Sequence, residues 1–121
     1  MGEKLDAPLL RGLRLFNERR YFEAHEEWEI FWRRAAGADA EFIQGLIQLA
    51  VAFHHLNKGN LRGAEELYPR AARRLRKDDA RAAPIDASEA LSVLKSSVEN
   101  DGAPTGAVRL RWIGSAPDGG V

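Results

Sequence analysis

The stretch "FIQGLIQLAVAFHHL", residues 42–56, decides the fold. Its apolar side chains are Phe42, Ile43, Leu46, Ile47, Leu49, Val51, Phe53 and Leu56. On a helix they lie nearly all the way round the axis. A helix that is apolar on every side has to be surrounded, so this one reads as the centre of the molecule. Asp39 reads as its cap and "NKGN" as its end, giving a helix over about 40–57. Three polar side chains interrupt the pattern. Gln44, Gln48 and His55 are separated by four and seven residues and so form one narrow stripe. A buried polar group without a partner costs about 1–3 kcal/mol, so the stripe needs partners. Gly45, inside it, would let a neighbouring backbone approach closely.

Immediately before lies "YFEAHEEWEIFW", residues 21–32. Tyr21, Ala24, Trp28, Phe31 or Trp32, and Ala35 recur at spacings of three and four, which predicts a helix over about 20–36 with Gly37 as its C-terminal cap. The tryptophans read as core, while Glu23, Glu27 and Arg34 fall on the water side. His25 and Glu29, four apart, sit at the edge of the seam beside Trp28 and Trp32. Glu26 lies further round, near Arg33. The "GAD" turn is short, so the two helices should form an antiparallel hairpin. The expectation is that His25 and Glu29 meet Gln44, Gln48 or His55 across it.

The rest of the chain adds covering helices. Asp6 and Pro8 read as the start of a helix over about 7–18. Asn60 caps another over about 61–76, with Pro69 in its middle, and a last helix spans about 87–99. "DDARAAPIDA" reads as a linker between them. Beyond Gly102 the chain is rich in glycine and proline. "AVRLRWI" alternates like a strand, but a lone strand has no partner, so residues 102–121 read as an irregular tail docked at least at Trp112. The sum is an all-α protein: a single compact array of about five helices over residues 1–101, with a central apolar third helix and an irregular C-terminal tail.

Composition narrows the function. The 121 residues fit one domain, and there is no cysteine, which excludes thiolate metal sites and suits a reducing cytoplasm. Eighteen basic residues balance eighteen acidic ones. Net charge therefore gives no case for nucleic acid, and the arginine-rich end of the fourth helix has no aromatic platform beside it. The N-terminus lacks the apolar run of a signal peptide, and the longest apolar region is too short and polar for a membrane span. These features set the expectation of a cytoplasmic protein.

The polar stripe has two readings. In one it is an internal hydrogen-bond network that fixes helix register. In the other it is a pocket. His25 would be base or ligand, Glu29 its orienter or co-ligand, and His55 a third catalytic group, with Glu26, Trp32, Gln44 and Gln48 holding a small ligand. His25, Glu29 and His55 would also suit a divalent metal such as Zn, Mn or Fe. The specific metal motifs are absent: residue 29 is glutamate, so "HEEWE" is not H-E-x-x-H, and no E-x-x-H pair exists.

The segment from Phe16 to Leu75 resembles the bacterial and archaeal domain-of-unknown-function family 309, on the elements "FN", "YFEAHEEWE" with Trp32, "QGLIQLAVAFHHL" and "GNLRGA". The resemblance implies a small all-helical fold. It also implies that His25, Glu26, Glu29, Trp32, Gln44, Gly45, Gln48, His55, Gly59, Asn60 and Gly63 are signature positions. It implies no reaction. A weaker likeness, of "FNERRYFEA" and "GNLRGAEEL" to tetratricopeptide helices, supports the alternative of an interaction module binding a protein partner or a second copy.

Overall fold

A helix that must be covered on every side needs neighbours on every side, and the chain supplies them in order. The computed structural model describes residues 2–76, 84–102 and 108–113, with side chains from Ala7 onward. The elements are α1 (Gly2–Asn17), α2 (Tyr21–Trp32), α3 (Gly37–Asn57), α4 (Leu61–Leu75), β1 (Ile85–Asp86), α5 (Ser88–Glu99) and β2 (Arg111–Trp112). Helix α3 packs against α2 on one side and α4 on another, while α1 covers α2 and α5 leans on α4. Arg11 reaches Glu27, Phe22 reaches His54, and His55 lies beside Gly63, so α1, α2, α3 and α4 run antiparallel in turn.

The predicted all-α array is therefore present, with shifted boundaries. Helix α1 starts at Gly2, so Asp6 and Pro8 lie inside it. Pro8 forfeits one backbone hydrogen bond without ending the helix. Gly37 does not cap α2. Its φ of +62 opens α3 instead, and a tight turn after Trp32 closes α2. Helix α4 continues unbroken through Pro69, whose ring is exposed.

The core is centred on α3, where Leu46, Leu49, Ala50, Ala52 and Phe53 are fully buried. Phe16 joins three helices: its ring meets Tyr21 at 4.9 Å and Phe53 at 5.6 Å, both edge-on, and Trp28 at 6.3 Å. Such aromatic pairs contribute about 0.5–1.5 kcal/mol each beyond their buried area. Trp28 is fully buried, and its indole N–H donates to the Leu9 carbonyl at 3.2 Å. Trp32, expected in the core, is 37% exposed, and Phe31 takes the inward place.

The strand-like segment near the C-terminus does have a partner. Ile85 and Asp86, in the stretch read as a linker, pair antiparallel with Trp112 and Arg111. Val108 and Leu110 are buried, and the Asn17 side-chain amide brackets Leu110, donating to its carbonyl at 3.0 Å and accepting from its N–H at 2.8 Å. Asp86 then caps α5 by accepting from the Ser88 N–H at 2.9 Å and hydroxyl at 2.7 Å, which lowers the pKa of its carboxyl.

Gly12 faces the Trp28 indole so closely that an added Cβ would sit 2.6 Å from ring atom Cδ1. The buried ring has no room to withdraw, so Gly12→Ala should destabilise the fold by about 1–3 kcal/mol, as other overpacked cores do. Urea unfolding with tryptophan fluorescence measures this. An unchanged midpoint would contradict the packing described.

Candidate functional site

The polar stripe of α3 turns toward α4. Gln48 is 8% exposed, and its side-chain carbonyl accepts from the Arg74 guanidinium at 3.3 Å. Arg74 Nε lies 3.2 Å from Glu41 Oε1, an ion pair without hydrogen-bond alignment. Gly45 makes this close approach available, since a Cβ there would meet Leu75 Cγ at 2.8 Å. At the other end of the helix pair, Asn60 donates through its amide nitrogen to His55 Nδ1 at 3.3 Å. The Asn60 side-chain oxygen accepts the Gly63 N–H at 3.0 Å, capping α4. A Cβ on Gly63 would strike the His55 ring at 2.8 Å, and Gly59, at φ +77, turns the chain between the helices. These residues pin α3 to α4 at both ends.

On α2, His25 Nδ1 lies 2.8 Å from the Phe22 carbonyl, which can only accept, so Nδ1 carries the proton. Nε2 is the other polar atom of the ring. It lies 4.0 Å from Glu29 Oε1, beyond a hydrogen bond. The partner of His25 across the hairpin is a different residue from those expected. Phe22 is placed between His25, at 4.9 Å between ring centres, and His54, at 5.2 Å, and His54 lies 6.3 Å from His55. All three histidines of the chain thus gather at one end of the hairpin.

Among the described residues, no hydrogen bond joins His25 or Glu29 to Gln44, Gln48 or His55. The reason is steric and chemical. Helices α2 and α3 meet through ring contacts, Tyr21 on Phe53 and Phe22 on His54, and Arg74 is long enough to satisfy Gln48 from the other side. Gln44 is half-buried, and Glu26 is exposed. Among the described residues, no group of three or more histidines, cysteines or carboxylates could hold a metal ion. The trio His25, Glu29 and His55 is not brought together, and His55 is engaged with the α4 cap.

Between α1 and α2 runs a groove of about 540 Å³ lined by Leu15, Arg20, Glu23, Glu26, Glu27, Glu29 and Ile30. Arg20 binds Glu23 at 2.7 Å, which holds that carboxyl below its ordinary pKa, and Arg11 binds Glu27 at 2.8 Å. Residues 9–67, from the first half of α1 into α4, match the model of a family described as Domain of unknown function (DUF309). The chain carries a DUF309 domain. No curated protein matches the chain. The DUF309 domain contains both the α2 surface and the Asn60 cap, whereas Arg74 and the segment bracketed by Asn17 lie outside the matched residues.

Sequence reasoning missed Arg74, Asn17 and Gly12. Arg74 sits in the basic last turns of the fourth helix, where cations favour the helix dipole, and Asn17 lies near the end of the first helix. The "FN" element was the one signal for Asn17.

Two measurements test this arrangement. Asn60→Ala removes the α4 cap and should cost about 1 kcal/mol of stability, read by urea unfolding. The pKa of His54 is lowered first by burial, then by Lys58, His55 and His25. The fold therefore favours the neutral ring. Its contribution to stability is complete above about pH 6.5, the ordinary histidine value, and is lost as pH falls through the lowered native value. Unfolding free energies between pH 7.5 and 5 should decline with a slope that His54→Gln reduces by at most about 1.4 kcal/mol per pH unit.

Proposed function

We propose that this DUF309 domain is a protein-interaction module that binds its partner through the outer surface of α2. The observation that carries the reading is the exposure of three large apolar side chains on that one short helix: Phe22 at 47%, Ile30 at 57% and Trp32 at 37%. Isolated apolar residues on a surface need no explanation, but several on one helix, beside a groove, favour a contact surface. The internal partners of Gln48 and His55 support the same reading, because they give those side chains work within the scaffold.

A second reading has one observation in its favour. His25 holds its proton on Nδ1 and presents Nε2 near Glu29, as a histidine used as base or ligand would. On that reading His25 and Glu29 handle a small molecule beside Trp32. Stabilisation of the wild-type protein by a metal or metabolite, lost in His25→Ala, would favour it.

The module is tested by placing a photoreactive benzoylphenylalanine at Ile30, with the same substitution at the exposed Ser92 on α5 as the control. Irradiation in extract of the source cells should give a discrete adduct from position 30 alone, and Phe22→Ser should diminish it. Indistinguishable adducts from both positions, or none from position 30, would remove the reading.

A further inference from the structure

We infer that the segment docking on α2 is a cationic amphipathic helix of a protein partner. It lies along the groove beside α1, with an apolar side chain over Ile30 and Leu15 and lysines or arginines against Glu26 and Glu29. The inference rests on the interaction-module reading above and adds the chemistry of the partner.

Positions 22, 26, 29 and 30 recur at spacings of three and four, so Phe22, Glu26, Glu29 and Ile30 share one face of α2. That face is apolar at both ends and acidic between them. The groove beside it is lined by four glutamates and one arginine, a charge of −3. Two of those glutamates are already neutralised, Glu23 by Arg20 and Glu27 by Arg11. Glu26 and Glu29 have no lysine or arginine partner among the described residues, and only His25, at 4.0 Å, approaches Glu29.

Two carboxylates between two exposed apolar side chains match a helix with cations beside its apolar stripe, and they repel nucleic acid, anionic lipid or an acidic peptide. Arg33 follows at the C-terminal end of α2, four residues beyond Glu29, so the match to cations ends there. Helix α2 has 12 residues, about 18 Å at 1.5 Å each, so the partner segment needs three to four turns. This is recognition of an amphipathic helix in a groove, with apolar anchors for affinity and charge for selection.

The test uses the full chain and three labelled 16-residue peptides: a leucine–lysine amphipathic helix, a leucine–glutamate helix of the same pattern, and a scrambled leucine–lysine sequence. Anisotropy titrations should show binding of the first alone, weakening as salt is raised. The double variant E26Q/E29Q should weaken it about tenfold, equivalent to 1.4 kcal/mol. The double variant E65Q/E66Q, at exposed positions on α4, should leave it within about twofold, the scatter of surface charge changes. Circular dichroism checks that both variants fold.

No binding of the leucine–lysine helix, equal binding of the scrambled peptide, or equal loss in both variants would overturn the inference. So would concentration-dependent dimerisation abolished by E26Q/E29Q, which would assign the face to a second copy of the chain. An adduct from position 30 to a partner segment lacking cations would overturn the charge assignment and leave the module reading standing. Absence of any adduct would remove the module reading itself.

Discussion

Helix α3 has no face that can be left to water, and the order of the other elements follows from covering it. Buried apolar surface contributes about 25 cal/mol per Å², so an exposed side of α3 would forfeit several side chains' worth of stabilisation. Helices α2 and α4 flank it directly, and Phe16 on α1 closes the gap by touching both Tyr21 and Phe53. Small residues set how near the partners come. Gly12 faces Trp28 of α2, and Gly45 faces Arg74 and Leu75 of α4.

The same constraint divides ten of the positions expected from the resemblance, all but Gln44, into two groups. Gly45, Gln48, His55, Gly59, Asn60 and Gly63 all serve the α3–α4 contact: close approach, one buried hydrogen bond, a reversal of the chain and a helix cap. His25, Glu26, Glu29 and Trp32 lie on α2, which packs inward through Tyr21, Ala24, Trp28 and Phe31. Their side chains add little to the core. A scaffold explanation therefore accounts for one group and leaves the other on the helix that exposes Phe22, Ile30 and Trp32.

Periodicity made the helices legible because a seam at spacings of three and four has few other interpretations. It identified α3 as central, and Asn60 as a cap, from the residues alone. It failed where the outcome depended on which of two neighbours a side chain would meet. Gln48 was assigned to the nearer helix in sequence, yet a long arginine from α4 reaches it first. Phe31 and Trp32, adjacent and both aromatic, could not be separated by spacing, and only the position of α2 on α3 decides between them. The β1–β2 pair was half legible: "AVRLRWI" alternates like a strand, but its partner Ile85–Asp86 is two residues long, too short for alternation to register.

Asn17 has a consequence for how the chain reaches this state. Its amide imitates a neighbouring strand and holds Leu110 from a position 93 residues earlier. Val108 and Leu110 are the last of the described core residues in the chain, following Ala90, Leu91 and Leu94 of α5. The contacts among α1, α2, α3 and α4 join neighbours in sequence, whereas the Asn17 amide gains its partner only when Leu110 docks. Closing so long a loop is entropically expensive and slow compared with forming hairpins. Docking of Leu110 on Asn17 is therefore expected to follow the pairing of the helical hairpins.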